Sequence, residues 1–311
     1  MIATVTLNPA MDKIIYLSKL DRALVNRATK LTALPGGKGI NVALMLNRLG
    51  HEVMALGLLG GFLGEFIEAS LEREGVFIAF QHVAEQSRSN FIVVDDSGEI
   101  TQVLEPGPLV SEAEIDRFLS SYDRTISECD MVVIGGTCPP GCPPDIYKEL
   151  ILRAKNKGLR TVLNAYGEPF ERGVEAAPDI VKPDTRFIRE LLGQDRSTPA
   201  GRRNISEELL GIGVKTVIIA HGRLNHQVQS VDDIFDLKVS SEVIVNTVTS
   251  GDAFLAGLID GFERDLGLRE ASRWAAAMEM AAGTDLEKRW ASVTDIELRL
   301  GHVDQEEIDE G

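Results

Sequence analysis

Three stretches of the chain combine residues that handle anions or hydroxyl groups. In PGGKGINVA, residues 35–43, three glycines and Lys38 precede an apolar run with helical spacing. Glycines let a backbone approach a ligand closely, and a helix N-terminus adds free N–H groups and positive potential, so an anion suits this place, with Lys38 supplying a full charge. The same glycines serve as well for a plain turn into a helix. No Walker A loop is present, because Gly-x-x-x-x-Gly-Lys-Ser/Thr is missing. In VNTVTSGDAFLAG, residues 245–257, a Thr/Ser/Gly turn again runs into a helix. Its N–H groups offer an anion hole, with Asp252 in the first helical turn beside it. A carboxylate next to a bound phosphate is repelled unless it takes a proton or helps hold a metal. Asp252 therefore reads as a general base for a hydroxyl attacking a phosphoryl group, or else as a helix cap. The third stretch, TLNPAMD at residues 6–12, ends a strand with a proline-broken turn and Asp12. Ligands of open α/β sheets collect at such strand ends, so Asp12 is placed to accept hydrogen bonds from substrate hydroxyls.

Other reactive side chains fit chemistry less well. Cys138 and Cys142 form a C-x₃-C spacing in a proline-rich turn with no further Cys or His pair to complete a tetrahedral metal set. The histidines His51, His82, His221, His226 and His302 include no HExxH pattern and read as satisfied or solvent-facing imidazoles, with His221 nearest a ligand site. Met278 and Met280, set among alanines, read as core packing of a helix.

The elements that must carry these residues follow an alternating rhythm, short apolar runs against helix-period segments, as parallel sheets with crossover helices produce. Strands are expected at 3–7, 53–59, 131–134, 161–163, 179–181 and 216–220. Helices are expected at 40–49, 62–74, 145–157 and 185–192, with one opening at the Ser111/Glu114 capping box and another at Asn204/Glu207. Residues 251–282 read as helix-rich. Two segments break the rhythm, 13–34 and 90–104, the second a hairpin around Asp96-Ser97-Gly98. They read either as a small sheet beside the main one or as its edge strands. The acidic 304–310 stretch reads as a solvated tail.

The chain has 311 residues, with 32 Lys and Arg against 48 Asp and Glu, a net charge of −16. Such a field repels nucleic acid and anionic membranes, so an anionic substrate needs local cations. Three cysteines, no basic n-region at the start and no membrane-length apolar run point to the cytoplasm.

The stretches TLNPAMD, PGGKGINVA, Ser87-Arg88-Ser89-Asn90, IGGTCPPG, IVKPD and NTVTSGDAFLAG occur in an order and spacing that resembles the PfkB (ribokinase-like) carbohydrate kinases. The likeness runs over nearly the whole chain and is strongest to the phosphosugar branch, 1-phosphofructokinase and tagatose-6-phosphate kinase. It implies one α/β domain over 1–311, a ribokinase-like three-layer sandwich with eight or nine strands. A small discontinuous β lid is expected from about 11–35 and 88–105, often used for dimerisation, so that a homodimer through the lid is one expectation. It also implies transfer of the ATP γ-phosphoryl group, with Mg²⁺, to a ketohexose phosphate: fructose 1-phosphate or tagatose 6-phosphate ahead of fructose 6-phosphate. By motif position, Asp252 is the base, and Thr249, Ser250 and Gly251 form the transfer turn, with the N–H groups of Ser250, Gly251 and Asp252 as the anion hole. Asp12, Gly37 and Asn41 hold sugar hydroxyls; Lys38, Arg88 and Asn90, with Arg27, hold the phosphate already on the sugar. Lys182, Asp184, His221, Gly222 and Asn225 fall at the nucleotide end, and no protein side chain is assigned as a metal ligand.

Four departures from the resembled pattern gather at that nucleotide end. Thr249 replaces a glycine, and the Lys-Pro-Asn-x-x-Glu element reads Lys182-Pro183-Asp184-Thr185-Arg186-Phe187, without its glutamate. Asn164 stands for a strand-end Asp, and Asn225 for a glycine of the nucleotide turn. They open an alternative function, a phosphosugar-binding protein with little kinase activity.

Overall fold

Adjacent residues of the central strands point into two different cores, the signature of a sheet covered on both faces. Met131 and Val133 face one cluster while Val132 and Ile134 face the other. The computed structural model describes residues 1–184, 190–222, 224–240, 248–287 and 290–308. Within these the strands are β1 (Ile2–Thr6), β2 (Ala10–Leu17), β3 (Lys30–Gly36), β4 (Val53–Leu59), β5 (Phe77–His82), β6 (Arg88–Asp95), β7 (Ile100–Leu104), β8 (Met131–Gly135), β9 (Arg160–Asn164), β10 (Ile180–Val181), β11 (Glu190–Leu191), β12 (Gln194–Asp195), β13 (Thr216–His221), β14 (Asn225–Ser230), β15 (Ile234–Val239) and β16 (Val303–Glu307). The helices are α1 (Lys38–Arg48), α2 (Gly61–Arg73), α3 (Glu112–Thr125), α4 (Ile146–Asn156), α5 (Glu168–Val174), α6 (Pro199–Gly211), α7 (Ser250–Glu263), α8 (Leu268–Ala282) and α9 (Val293–Glu297).

The large sheet has the order β16-β15-β14-β13-β10-β9-β8-β1-β4-β5. From β5 to β13 its neighbours are parallel; β14, β15 and β16 extend it antiparallel. Residues of α1, α2, α7, α8 and α9 pack on one face and residues of α3 to α6 on the other, giving three layers. From β1 the chain moves out to β4 and β5, then resumes on the opposite side of β1 at β8. That reversal opens a crevice at the carboxyl ends of β1 and β8, where ligands of open α/β sheets collect.

A second sheet, β3-β2-β6-β7, stands over this crevice. Its Ile14, Ile92 and Val94 pack with Leu286 into a small core of their own. The register puts Ile15, Leu31, Phe91, Val93 and Val103 on the other face.

Several expectations from the sequence need correction. The described large sheet has ten strands rather than eight or nine, because 225–230, 234–239 and 303–307 add an antiparallel edge. Residues 304–307 are therefore strand, paired to β15 despite their charge, not a solvated tail. The helix expected at 185–192 lies partly outside the described residues; Glu190–Leu191 is strand, turned by Leu192 (φ 51) and Gly193 (φ 72) into β12. Helix α6 opens earlier than Asn204. Thr198 caps it, accepting from Gly201 N, and Pro199 fits a first helical position that needs no N–H. The capping box at Ser111/Glu114 is present.

Candidate functional site

The cavity in the crevice holds about 360 Å³ and lies between the large sheet and the small one. The ends of β1 and β8 contribute Asn8, Gly136 and Thr137, and the segments after β9 and β10 contribute Tyr166 and Asp184. Helix α1 brings Gly37, Lys38 and Asn41, α7 brings Asp252, and the small sheet brings Asp12, Asn90, Ile92, Gln102 and Leu104. Helix α1 can start this close to β1 because of its glycines. A Cβ at Gly37 (φ 128) would stand 2.6 Å from Thr6 Cγ2, and one at Gly39 would stand 2.5 Å from Thr6 Oγ1. Thr6 in turn accepts from Ile40 N at 3.0 Å.

Asp252 sits in the first turn of α7 and is 2% exposed. Asn41 Nδ2 donates to one carboxylate oxygen at 2.8 Å, and Asn164 Nδ2 to the other at 3.3 Å. The Lys38 ammonium bridges Asp252 and Asp184, 3.2 Å from each. The strand-end asparagine that replaces an acidic residue thus serves as a donor to Asp252, where a second carboxylate would repel it. Thr249 is buried with φ −113 and ψ 0, which L-residues adopt, so its Cβ does not strain the turn. The Asp252 N–H donates to Thr249 O at 3.0 Å. Ser250 and Gly251 keep the first-turn N–H groups that an α-helix leaves without an intrahelical acceptor. A Cβ at Gly251 would lie 3.0 Å from Lys182 Nζ, so this ammonium is packed against the start of the helix. Burial pushes Lys182 below its ordinary pKa, Lys38 adds to the lowering, and Glu279, Asp252 and Asp184 oppose it.

At the small-sheet end, Asn90 Nδ2 donates to Asp12 Oδ1 at 2.8 Å. Arg88 is fixed by backbone oxygens, donating to Asn8 O from Nε at 3.1 Å and from Nη2 at 3.0 Å, and to Glu105 O from Nη1 at 2.9 Å. Burial lowers the Arg88 pKa, while Asp12, Tyr166, Tyr147 and Glu105 favour its charge. Four buried amide oxygens, Oδ1 of Asn8, Asn41, Asn90 and Asn164, lack a hydrogen-bond partner among the described residues. Buried acceptors without donors are costly, and hydroxyl groups of a ligand would satisfy those of Asn8, Asn41 and Asn90, which line the cavity.

The structure thus brings Asp12, Gly37, Lys38, Asn41, Arg88, Asn90, Asp184 and Asp252 to one cavity, with Lys182 and Gly251 directly behind. Arg27 lies apart, exposed on the polar loop between β2 and β3. His221, Gly222 and Asn225 lie at the β13–β14 turn outside the cavity lining. There His221 Nε2 is 3.1 Å from Asp236 Oδ1, and Asn225 Oδ1 accepts from Val239 N at 3.3 Å. Lys38 engages the two carboxylates at the α7 end rather than the groups around Arg88. Asn8, Tyr166, Thr137 and Glu105 also line the cavity, unexpected from the sequence. Asn8, in the strand-end Asn-Pro turn, and Thr137, in IGGTCPPG, carried a local signal.

The profile of the pfkB family of carbohydrate kinases matches residues 5–284. The chain belongs to this family and is a carbohydrate kinase of PfkB type. A possible 1-phosphofructokinase from Thermotoga maritima superimposes with a TM-score of 0.93 at 28% identity, covering 99% of both chains. A provisionally assigned phosphofructokinase from Staphylococcus aureus gives 0.82 at 28%, again over 99% of both. Phosphofructokinase-2 from Escherichia coli shares the fold, with a TM-score of 0.87 at 24% identity over 96% of this chain and 98% of that one. No described helix is long and apolar enough to cross a membrane.

Proposed function

We propose that the protein transfers the γ-phosphoryl group of ATP to a hydroxyl of a ketohexose phosphate, with fructose 1-phosphate and tagatose 6-phosphate ahead of fructose 6-phosphate. The observation that carries this reading is the set of three asparagines with an unpaired Oδ1 among the described residues, Asn8, Asn41 and Asn90, lining a cavity that also holds Asp12, Asp252, Lys38 and Arg88. A polyhydroxylated anion satisfies both the acceptors and the cations. Asp12, Asn41 and Asn90 would orient the sugar, with Gly37 letting it approach the backbone, and Arg88 would face its phosphate. Lys38 would leave Asp252 for the incoming phosphate oxygens. Asp252 then takes the proton of the attacking hydroxyl as its oxygen bonds to phosphorus and the bond to the ADP leaving oxygen breaks. The N–H groups of Ser250 and Gly251, with Lys182, stabilise the charge on the transferring group. The small sheet acts as the lid of a single kinase domain in this reading.

The cradle at Gly251 and Lys182 suits the phosphates of a nucleotide. It does not suit a protein-held metal: among the described residues no group of three or more His, Cys, Asp or Glu side chains is placed to bind one, and Lys38 occupies Asp184 and Asp252. Mg²⁺ would enter on the nucleotide's own phosphates. The apolar outward face of the small sheet, with Leu31 and Val103 exposed, supports a homodimer through that face. Light scattering should give a dimer for the wild type and a monomer for Phe91→Glu.

The deciding assay measures ADP release with ATP, Mg²⁺ and a panel of fructose 1-phosphate, fructose 6-phosphate, tagatose 6-phosphate and the free sugars. Turnover of one ketohexose phosphate is expected. Sugar-phosphate binding without turnover would replace the kinase reading with that of a binding protein.

A further inference from the structure

Behind the first turn of α7 lies a buried charged cluster outside the cavity. Glu279 of α8 is 3% exposed, and its Oε2 stands 2.6 Å from His226 Nε2. The same carboxylate accepts a hydrogen bond from Ser250 and faces Lys182. The His226 ring lies 4.0 Å from that of Phe254, centroid to centroid, and the Lys182 ammonium stands 5.8 Å from the same ring. A carboxylate this deep is costly unless fully partnered, and of its three partners here Ser250 belongs to the transfer turn and Lys182 adjoins it. Its place in the sequence is equally unusual, the one charge in the run WAAAMEMAA, residues 274–282.

We propose that Glu279 is a positioning residue for phosphoryl transfer: it ties Ser250 and Lys182 into the arrangement that the transferring group meets, without touching that group. The proposal rests on the kinase reading above. Two physical effects follow from the geometry. Anchoring the Ser250 hydroxyl to α8 fixes the direction of the first-turn N–H groups, and preorganised donors of this kind lower the barrier because they need no reorientation. The negative charge also keeps Lys182 an ammonium in a site that disfavours charge. The groups facing Lys182 are Glu279 from α8, Lys38 from α1, Asp252 from α7 and Asp184 from its own segment, with His226 of β14 on Glu279. Among those that favour the ammonium, Glu279 is the largest influence.

The test compares wild type with Glu279→Gln, which removes the charge but keeps size and hydrogen bonding, and with Ser250→Ala, which cuts the hydroxyl link alone. Fold is checked by circular dichroism and a cooperative melt. In Glu279→Gln, kcat should fall about tenfold or more, while KM for the sugar phosphate stays within about twofold. The alkaline limb of the kcat profile should move to lower pH, because Lys182 then loses its proton sooner. Ser250→Ala should lower kcat less and leave that limb in place; it carries the test if the glutamine variant does not fold. Unchanged kcat in folded variants, or a sugar-phosphate KM that rises by the factor kcat falls, would overturn the proposal. If the wild type turns over no sugar phosphate, the kinase reading fails by itself. The positioning role is then read from binding: Glu279→Gln should weaken a non-hydrolysable ATP analogue about tenfold more than ADP, and equal losses sink it.

Discussion

The two ends of the cavity are built on opposite principles. At the small-sheet end, Asn8 and Asn90 each carry a buried oxygen with no partner among the described residues, and Arg88 hangs from backbone carbonyls. At the α7 end, charges are already matched with one another: Lys38 with Asp184 and Asp252 in the cavity, and Glu279 with His226 and Lys182 behind it. One end is left short of donors, so a neutral polyol can complete it. The other already pairs its cation with carboxylates, so an anion that draws Lys38 away from Asp252 must compete with that pairing. In the proposed function, selectivity for hydroxyl pattern would belong to the first end and the chemical step to the second.

The largest effect should come from Asp252→Asn, which leaves both ends standing but removes the base of the proposed reaction. Turnover should fall by about 10²–10⁴, with sugar-phosphate binding by calorimetry retained; retention of most activity would break the division between the ends. Arg88→Ala should raise KM for a phosphorylated sugar by about tenfold to a hundredfold, as loss of a charged hydrogen-bonding partner does. Activity on free sugars would be untouched, and an equal loss on both would assign Arg88 to scaffolding. The smallest effect is expected away from both ends. Tyr122 Oη donates to Leu150 O at 2.9 Å inside the lower core, so Tyr122→Phe should cost about 1 kcal/mol in denaturant unfolding and leave kinetics alone.

The cavity lining was far more legible in the sequence than the cluster behind it. Asp12, Lys38, Asn41, Asn90 and Asp252 lie in short motifs, where strand end, glycine turn and helix start are contiguous and the chemistry is local. Glu279 and His226 are 53 residues apart and meet only when α8 packs beside β14. Their signal was a single charge in an alanine-rich helix, overshadowed by Met278 and Met280, which are indeed fully buried. The same locality explains the fold. Ser111 with Glu114 announced α3, since both members of the capping box fall within one turn. Residues 304–307, within the 304–310 stretch, read as tail because an edge strand draws its stability from its neighbour β15, not from its own composition.

Strand β2 runs parallel to β6, and the hydrogen bond from Asn90 to Asp12 joins residues 78 positions apart. Between them lie β3, α1, β4, α2 and β5. Closing so long a loop costs entropy before any contact repays it, so this pairing is expected late in folding. The small-sheet end of the cavity is complete only once that pairing has formed. A ligand bound there would stabilise the pairing and slow its opening.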